Sequence, residues 1–313
     1  MYLDPRTRRV VLDGVDTRRD YFDVDNVTYQ ALPLRENSDA GLGINSSVFR
    51  ALPADEDETS SLVVKVCAFA DESRNVKHIA RRNRFMREID AMELSLAKGK
   101  DNHVVRIEGK GEVRVIRDKW RKQTHQCFLM EAARTDLSDH LADETDISLQ
   151  QRLLLCAALV RSVRALHDIG VYHRDIKPGN VLLCEDGWKM GDLGLVAFRG
   201  DDAEAESREK IGPPTWMSPE AFNKAYCIHR ANNRYIDTRL DDRSDVYQLG
   251  KLCWHIIQGD IPNGCLKSKD LVEGGESLFG SMLKPMLRYQ RSERPLLSEV
   301  EASLAPLIRQ HSI

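Results

Sequence analysis

The sequence predicts an α+β protein in which strands precede the main helices. Val27–Leu34 and Leu62–Val66 predict strands, the second because an apolar run bounded by turn residues is typical of a buried strand. Apolar residues then recur at helical spacing through Ser73–Ala97 and again after Ser148, which forms a capping-box pattern with Gln151. A chain of 313 residues can bury one large core or two lobes.

The composition is that of a soluble globular protein, with 42% hydrophobic and 30% charged residues. Because the formal net charge is only −3, no global field attracts nucleic acid or anionic lipid, and we expect neither as a partner. Seven cysteines without a C-x-x-C pair predict reduced thiols and a cytoplasmic location. The sequence has no apolar run of the roughly 18 residues that span a bilayer, so we expect no membrane association.

One polar loop carries the residues with the clearest chemistry. Asp175, Lys177 and Asn180 lie within a few positions of one another, and Asp192 follows shortly after. Phosphoryl transfer requires a carboxylate that aligns the attacking hydroxyl, cations that neutralise phosphates, and rigid positioning. Asp175 can accept the hydroxyl proton, Lys177 can hold the moving phosphate, and Asn180 can offer an oxygen to Mg²⁺.

These residues stand in two recognisable motifs. Tyr172–Asn180 resembles the H-R-D-x-x-x-x-N catalytic loop of the eukaryotic-type (Hanks-type) protein kinases, and Gly191–Gly194 resembles their D-F-G motif with Leu for Phe. The resemblance implies a bilobal fold, with a small β-sheet N-lobe that carries helix αC and a mainly α-helical C-lobe. It also implies that Asp175 is the catalytic base, that Lys177 assists it, and that Asn180 and Asp192 bind the metal.

The first part of the chain resembles the nucleotide-binding part of that family. Gly41–Val48 resembles its glycine-rich loop, whose backbone N–H groups approach phosphates closely, with Ser46 in the third glycine position. Leu62–Val66 resembles the strand whose lysine, here Lys65, contacts the α- and β-phosphates. The residues that the resemblance assigns to nucleotide binding are Gly41, Leu42, Gly43, Ser46, Val48, Lys65, Met130, Glu131 and Ala133.

Two of these assignments carry particular roles. Glu88 is the best match to the helix αC glutamate that pairs with Lys65, and Glu93 is the alternative. Met130 matches the gatekeeper position, and the backbones of Glu131 and Ala133 would hydrogen-bond adenine. The resemblance therefore predicts ATP and Mg²⁺ as cofactors, with Mn²⁺ as an alternative metal.

The later part of the chain resembles the structural elements behind the catalytic loop. The helix after Ser148 resembles helix αE, and Asp245 would hydrogen-bond the backbone of the catalytic loop from the start of helix αF. Glu220 and Arg294 match a structural ion pair that small-molecule kinases of related fold generally lack, so we disfavour a small-molecule phosphotransferase. A last helix is predicted over Leu296–Arg309.

The resemblance also sets domain boundaries. Residues 1–27 are predicted as an N-terminal extension, with a short strand at 10–12 as the alternative. The kinase domain is predicted over residues 28–310, with the N-lobe at about 28–130 and the C-lobe at about 134–310. A compact chain without a predicted sensor domain is typical of a bacterial-type cytoplasmic kinase, with a translocated effector as the alternative. The sequence carries no signal of oligomeric state.

The predicted reaction is transfer of the γ-phosphate of Mg-ATP to Ser or Thr hydroxyls of proteins, with autophosphorylation. Ser207 is the clearest hydroxyl in the loop after Asp192. Pro213 and Trp216 resemble the residues that tyrosine kinases carry at these positions, whereas Lys177 matches the lysine of Ser/Thr kinases. A tyrosine or dual-specificity kinase is therefore the alternative. A nucleotide-binding pseudokinase scaffold is a further alternative, disfavoured because every catalytic residue is present.

Overall fold

We analysed a computed structural model of the protein. It describes residues 1–13, 17–34, 45–54, 62–118, 121–144, 146–201, 212–226, 236–264, 266–271 and 275–311. The chain divides into two compact units. The first comprises Met1–Leu96 and Val105–Ala132, and the second comprises Ala97–Val104 and Ala133–Ile313.

The described part of the first unit contains one eight-stranded sheet. Its order is β2-β1-β7-β3-β4-β5-β6-β8, and β7 also pairs with β8, so the strand order closes on itself. The neighbours from β3 to β6, and β6 with β8, run antiparallel. The strands are β1 (Tyr2–Leu3), β2 (Val10–Val11), β3 (Tyr21–Val24), β4 (Val27–Leu32), β5 (Ser46–Pro53), β6 (Leu62–Cys67), β7 (Ile107–Asp118) and β8 (Arg121–Glu131).

The first 24 residues contribute three of the eight strands, β1, β2 and β3. These residues supply apolar side chains to the core of the unit. Met1, Val10 and Phe22 are buried in one cluster with Val64 of β6 and Leu129 of β8. The alternative of a short strand near residue 10 is therefore confirmed, since Val10–Val11 pairs with Tyr2–Leu3. The boundary of an N-terminal extension at residue 27 stays a prediction.

A single long helix, α1 (Val76–Ala97), belongs to the first unit for most of its length. It begins three residues later than predicted, where the Asn75 side chain accepts a hydrogen bond from Lys77 N at 2.9 Å. Phe85, Ile89 and Met92 form its buried face, as their spacing predicts. The same spacing predicts that Leu96 also belongs to this face, but that prediction is wrong, because Leu96 is 42% exposed at the end of the helix.

The described part of the second unit is mainly helical, with short strand pairs near the loop that carries Asp175. Its strands are β9 (Thr135–Asp136), β10 (Val171–Tyr172), β11 (Val181–Cys184), β12 (Gly187–Met190) and β13 (Ala197–Phe198). Its helices are α2 (Leu137–Asp143), α3 (Leu149–Asp168), α4 (Pro219–Tyr226), α5 (Asp242–Gln258), α6 (Gly275–Leu278), α7 (Lys284–Met286) and α8 (Leu297–Gln310), with a π-helical turn at Phe279–Leu283.

Helix α3 forms as its sequence predicts. Ser148 Oγ accepts a hydrogen bond from Gln151 N, and Gln151 Oε1 accepts one from Ser148 N, which completes the capping box. Leu159 and Val163 are fully buried on its inner face. Helix α8 matches the predicted last helix to within one residue at each end. None of the helices in the described ranges is long and apolar enough to cross a membrane.

Candidate active site

Lys65 is positioned by its place in the sheet of the first unit. It stands opposite Val48 of β5 on one side and Phe128 of β8 on the other. Directly opposed residues of antiparallel strands project to the same face, so these three side chains share a face of the sheet. Helix α1 packs there, with the rings of Phe85 and Phe128 5.3 Å apart.

Packing of α1 on this face brings Glu88 to Lys65. Glu88 lies three residues after Phe85, on the same side of the helix. Lys65 Nζ donates a hydrogen bond to Glu88 Oε1 at 2.7 Å, and both side chains are buried. The alternative glutamate, Glu93, instead forms an ion pair with Lys110 at 2.6 Å, with both side chains about half exposed. The structure thus brings the predicted pair together and separates the alternative from it.

Met130 and Glu131 end strand β8. Met130 is partly buried and stands opposite Val63. Glu131 N donates to Arg106 O at 3.1 Å, and Glu131 Oε1 accepts a hydrogen bond from Arg106 N at 2.6 Å. The backbone N–H and the side chain of Glu131 are thus both hydrogen-bonded to Arg106.

The remaining residues assigned to the nucleotide divide by position. Ser46 and Val48 lie in β5, both partly buried, and Ala133 follows β8. Gly41, Leu42 and Gly43 lie outside the described residues, as does Ser207. The stretch from 227 to 235, which holds Cys227 and His229, is also outside them.

Asp175 is the centre of a hydrogen-bonded cluster in the second unit. Lys177 Nζ donates to Asp175 Oδ2 at 2.7 Å. Asn180 Nδ2 donates to the same carboxylate oxygen at 2.9 Å and to the Asp175 carbonyl at 2.8 Å. The other carboxylate oxygen, Oδ1, is buried and has no hydrogen-bond partner among the described residues. A carboxylate held in this way offers one fixed oxygen to a hydroxyl donor.

The loop that carries Asp175 is held from behind by Asp245 of α5. Asp245 accepts hydrogen bonds from His173 N at 2.8 Å, Arg174 N at 2.7 Å and His167 Nε2 at 2.9 Å. Full burial would raise the pKa of Asp245, but the hydrogen bond and charge of His167, the charge of His173 and the backbone donor of Arg174 hold it below the ordinary value. These bonds fix Arg174 in the left-handed region, at φ 68°.

Gln248, one turn after Asp245 on α5, also forms hydrogen bonds with this loop. The sequence did not lead us to predict this residue. Its Oε1 accepts a hydrogen bond from Ile176 N at 3.2 Å, and its Nε2 donates to Arg174 O at 3.1 Å. The sequence does indicate it, because Gln248 lies three residues after Asp245 and residues three apart share a face of a helix. Asp245 and Gln248 together bind the backbone on both sides of Asp175.

Asp192 follows a peptide that the catalytic loop fixes. Gly191 N donates to Asn180 O at 2.8 Å, and His173 Nε2 donates to Gly191 O at 3.1 Å. His173 is fully buried, so this hydrogen bond joins the loop that carries Asp175 to Gly191 in the interior of the unit. Asp192 itself is exposed and takes a left-handed φ of 51°.

The donor set of Asn180 and Asp192 fits a hard divalent cation. Asn180 uses its amide nitrogen for both bonds to Asp175, which leaves its carbonyl oxygen for another role. Mg²⁺ is usually held by one or two protein oxygens together with water and phosphate. The described ranges contain no group of three His, Cys, Asp or Glu residues able to hold a metal.

The segment that precedes α4 approaches Asp175 at one residue and is anchored at others. Gly212 has φ 77° and lies so close that a Cβ there would be 2.9 Å from Asp175 Oδ1. Lys251 Nζ of α5 donates to the carbonyl of Thr215. Arg294 donates to both oxygens of Glu220, at 2.7 and 2.8 Å, with both side chains buried. This last pair is the one that the sequence predicts.

Comparison with known proteins gives consistent results. A family described as "Protein kinase domain" matches residues 34–310. The chain is 31% identical over 196 residues to a "Dual serine/threonine and tyrosine protein kinase" of Strongylocentrotus purpuratus, covering 56% of this chain and 18% of that protein. It is 27% identical over 210 residues to "Serine/threonine-protein kinase PAK 4" of Mus musculus, covering 59% and 32%.

A third relative is "Dual specificity protein kinase TTK" of Mus musculus, 27% identical over 136 residues, which cover 43% of this chain and 16% of that protein. The chain spans a third or less of the length of each of these relatives. The likeness to them is therefore a likeness of the kinase domain.

Proposed function

Because the chain belongs to the protein kinase family, we propose that it transfers the γ-phosphate of ATP to Ser and Thr hydroxyls of proteins, its own chain included. The observation that carries this proposal is the Asp175 cluster. One oxygen of Asp175 is bound by Lys177 and Asn180, and the other is buried without a described partner. A substrate hydroxyl that donates to Oδ1 would be aligned for attack and could give up its proton there.

The other site residues take their proposed roles from the same chemistry. Lys177 holds the transferred phosphate while it stays bound to Asp175, and Asn180 and Asp192 hold Mg²⁺. That ion supplies neutralising charge for the phosphates. In the first unit, Lys65 contacts the α- and β-phosphates in the orientation that Glu88 fixes. Nucleotide binding by Gly41, Leu42, Gly43, Ser46, Val48, Met130, Glu131 and Ala133 completes the proposal.

Transfer to Ser and Thr is favoured by Lys177, whose amine is 2.7 Å from Asp175. Tyrosine or dual specificity is the second candidate. Pro213 and Trp216 favour it, and two of the relatives described above are named as dual-specificity kinases.

The proposal extends to the organisation of the protein. We propose a bilobal kinase domain over residues 28–310, in which α1 is the family's helix αC. The substrates are proteins, Ser207 is an autophosphorylation site, and the location is cytoplasmic. We propose no nucleic-acid or membrane partner.

Incubation of the purified chain with Mg-ATP, followed by mass spectrometry, tests the proposal. Asp175→Asn serves as the inactive variant and Asp143→Asn, at an exposed aspartate of α2, as its matched control. We expect phosphoserine or phosphothreonine in the wild type and in Asp143→Asn, and a loss of at least about 10²-fold in Asp175→Asn. Phosphotyrosine would favour the second candidate, and undiminished transfer by Asp175→Asn would remove Asp175 from its role.

A further inference from the structure

The second unit contains a cavity that the proposed reaction does not use. It has a volume of about 680 Å³, within the range of ligand-binding pockets. It lies between the start of α4, the first half of α5, the residues Pro262, Gly264 and Leu266, and the chain around α7. Its wall is mostly apolar and aromatic, including Met217, Phe222, Tyr247, Leu287 and Tyr289.

Aromatic side chains at the mouth of this cavity are unusually exposed for their size. Tyr289 is 71% exposed and Phe222 is 46% exposed. The Phe222 ring lies 4.6 Å from that of Tyr226, which is itself 38% exposed. Exposed aromatic groups around a concavity are typical of protein interfaces, where they supply contact area at small entropic cost.

The charge at the mouth is positive. Lys284 and Arg288 lie four residues apart in the wall, and no acidic residue is among the described residues that line the cavity. Arg288 is partly neutralised by Glu293, at 4.0 Å. Lys284 is exposed and has no ion-pair partner within the described ranges. The complementary occupant is therefore a segment that presents an apolar side chain to the cavity and a carboxylate to Lys284.

The cavity is continuous in sequence with the segment that approaches Asp175. Met217, Ser218 and Pro219 line it and follow directly on the residues from Gly212 to Trp216. Gly212 is the residue at which an added Cβ would lie 2.9 Å from Asp175 Oδ1. This segment therefore has one end, at Gly212, near Asp175 and the other end, at Pro219, in the wall of the cavity. A peptide bound in the cavity would be held at the second end, and the proposed phosphoacceptor position lies at the first.

We propose that this cavity docks the protein substrate through a segment that carries a large apolar side chain next to acidic residues. This inference rests on the proposed kinase function, because it gives the cavity the task of holding the acceptor. Docking away from the reacting hydroxyl raises the effective concentration of the acceptor, so it lowers the KM for the protein substrate without a change in the chemical step.

Binding is measured first, without ATP, by fluorescence anisotropy. The probe is a fluorescein-labelled peptide with adjacent Phe and Leu flanked by Glu residues and with no Ser, Thr or Tyr. We expect saturable binding to the wild type, weakened at least about tenfold by Phe222→Asp and by Lys284→Glu. A peptide with Lys in place of Glu should regain binding to Lys284→Glu. Leu154→Asp and Lys269→Glu change exposed residues outside the cavity and should leave binding unchanged.

Transfer is measured second, with the same motif joined through a Gly-Ser linker to a Ser-containing acceptor. The motif should lower the acceptor KM at least about tenfold in the wild type but not in Phe222→Asp, with kcat unchanged in both. Transfer without any effect of the motif would overturn the docking site and leave the kinase function standing. Peptide binding without transfer would overturn the kinase function and leave the peptide-binding site standing.

Three further outcomes would overturn the proposal. The first is no anisotropy change up to about 1 mM peptide. The second is equal binding by Phe222→Asp, which would place the peptide elsewhere. The third is self-association of the wild type that Phe222→Asp abolishes in sedimentation, because a second copy of the chain would then occupy the cavity.

Discussion

Gly212 leaves no room for a side chain beside Asp175. A Cβ atom at residue 212 would lie 2.9 Å from Asp175 Oδ1 and 3.7 Å from the Arg174 carbonyl. The first distance is shorter than a van der Waals contact, and the neighbouring atoms are held in place by Asp245 and Gln248. A side chain at residue 212 would therefore displace the oxygen that we propose as the hydroxyl acceptor.

Gly212→Ala is therefore expected to lower kcat for phosphoryl transfer by at least about tenfold, since a displaced carboxylate aligns the hydroxyl poorly. The matched control is Gly259→Ala. Gly259 has a similar φ of 82° at the end of α5, but a Cβ there would meet nothing within 4 Å. Both variants should lose about 1 kcal/mol of folding stability through backbone strain. Steady-state kinetics and thermal unfolding check this, and equal kcat values for the two variants would contradict it.

The second prediction concerns the metal. Asp192→Asn removes the only charged group of the proposed pair of ligands, so ATP binding should lose most of its dependence on Mg²⁺. Isothermal titration with and without Mg²⁺ measures the ratio of the two affinities, which should fall toward one in the variant and stay at the wild-type value in Asp143→Asn. If the ratio in Asp192→Asn equals that of the wild type, Asp192 is not a metal ligand.

Much of this site could be predicted from the sequence because its parts are local or obey simple periodicity. Asp175, Lys177 and Asn180 lie in one loop, and their contacts need no distant residue. The pairing of Lys65 with Glu88 was predicted from the resemblance to the protein kinases, and in the structure Glu88 lies on the same side of α1 as the buried Phe85. Within the loop from Asp175 to Asn180, a short stretch of chain fixes the geometry.

Contacts made by backbone approach were not predictable in the same way. The closeness of Gly212 to Asp175 depends on the path of the chain between them. A glycine in the sequence does not show which residue its backbone approaches. Of the three strands from the first 24 residues, only the one at Val10–Val11 was predicted, as an alternative, because Tyr2–Leu3 and Val10–Val11 are too short for an alternating pattern. These short segments form strands because Met1 and Val10 pack into an apolar cluster with residues of the longer strands.

The third prediction follows from the lowered pKa of Asp245. Asp245→Asn should lose at least about 2 kcal/mol of the free energy of unfolding at pH 7, because charge-assisted hydrogen bonds to the catalytic loop are lost. Since the pKa is lower in the folded state, the stabilisation is complete above the unfolded-state value near 3.8 and is lost as the pH falls through the folded-state value. Urea unfolding across this range should show the two proteins converging in acid. A constant difference down to the lowest pH would contradict the assignment.

The fourth prediction compares a buried ion pair with an exposed one. Arg294→Met leaves the Glu220 carboxylate buried without its main partner, and should cost about 3–5 kcal/mol of unfolding free energy. Burial raises the pKa of Glu220, but Arg294 holds it below the ordinary value, so this loss should be largest at neutral pH and smaller in acid. The double variant Glu220→Gln/Arg294→Met should recover part of the loss, because the buried charge is gone.

The control for that cycle is the pair of Arg164 and Glu301, which are 2.6 Å apart but partly exposed. Arg164→Met should change the unfolding free energy by less than about 1 kcal/mol, as for most surface ion pairs. Equal costs for Arg164→Met and Arg294→Met would show that burial does not set the strength of the inner pair.

The last prediction uses the two glutamates of α1. Glu88→Gln removes the charge that orients Lys65 and should lower kcat/KM for ATP by about tenfold to a hundredfold, with little change in the fold, since the amide keeps the same shape. Glu93→Gln changes the same residue type on the same helix, but its partner is the exposed Lys110, so its kcat/KM should equal that of the wild type. Steady-state kinetics with varied ATP separate the two. A loss in Glu93→Gln with none in Glu88→Gln would mean that the catalytic partner of Lys65 is not the one it contacts in this structure.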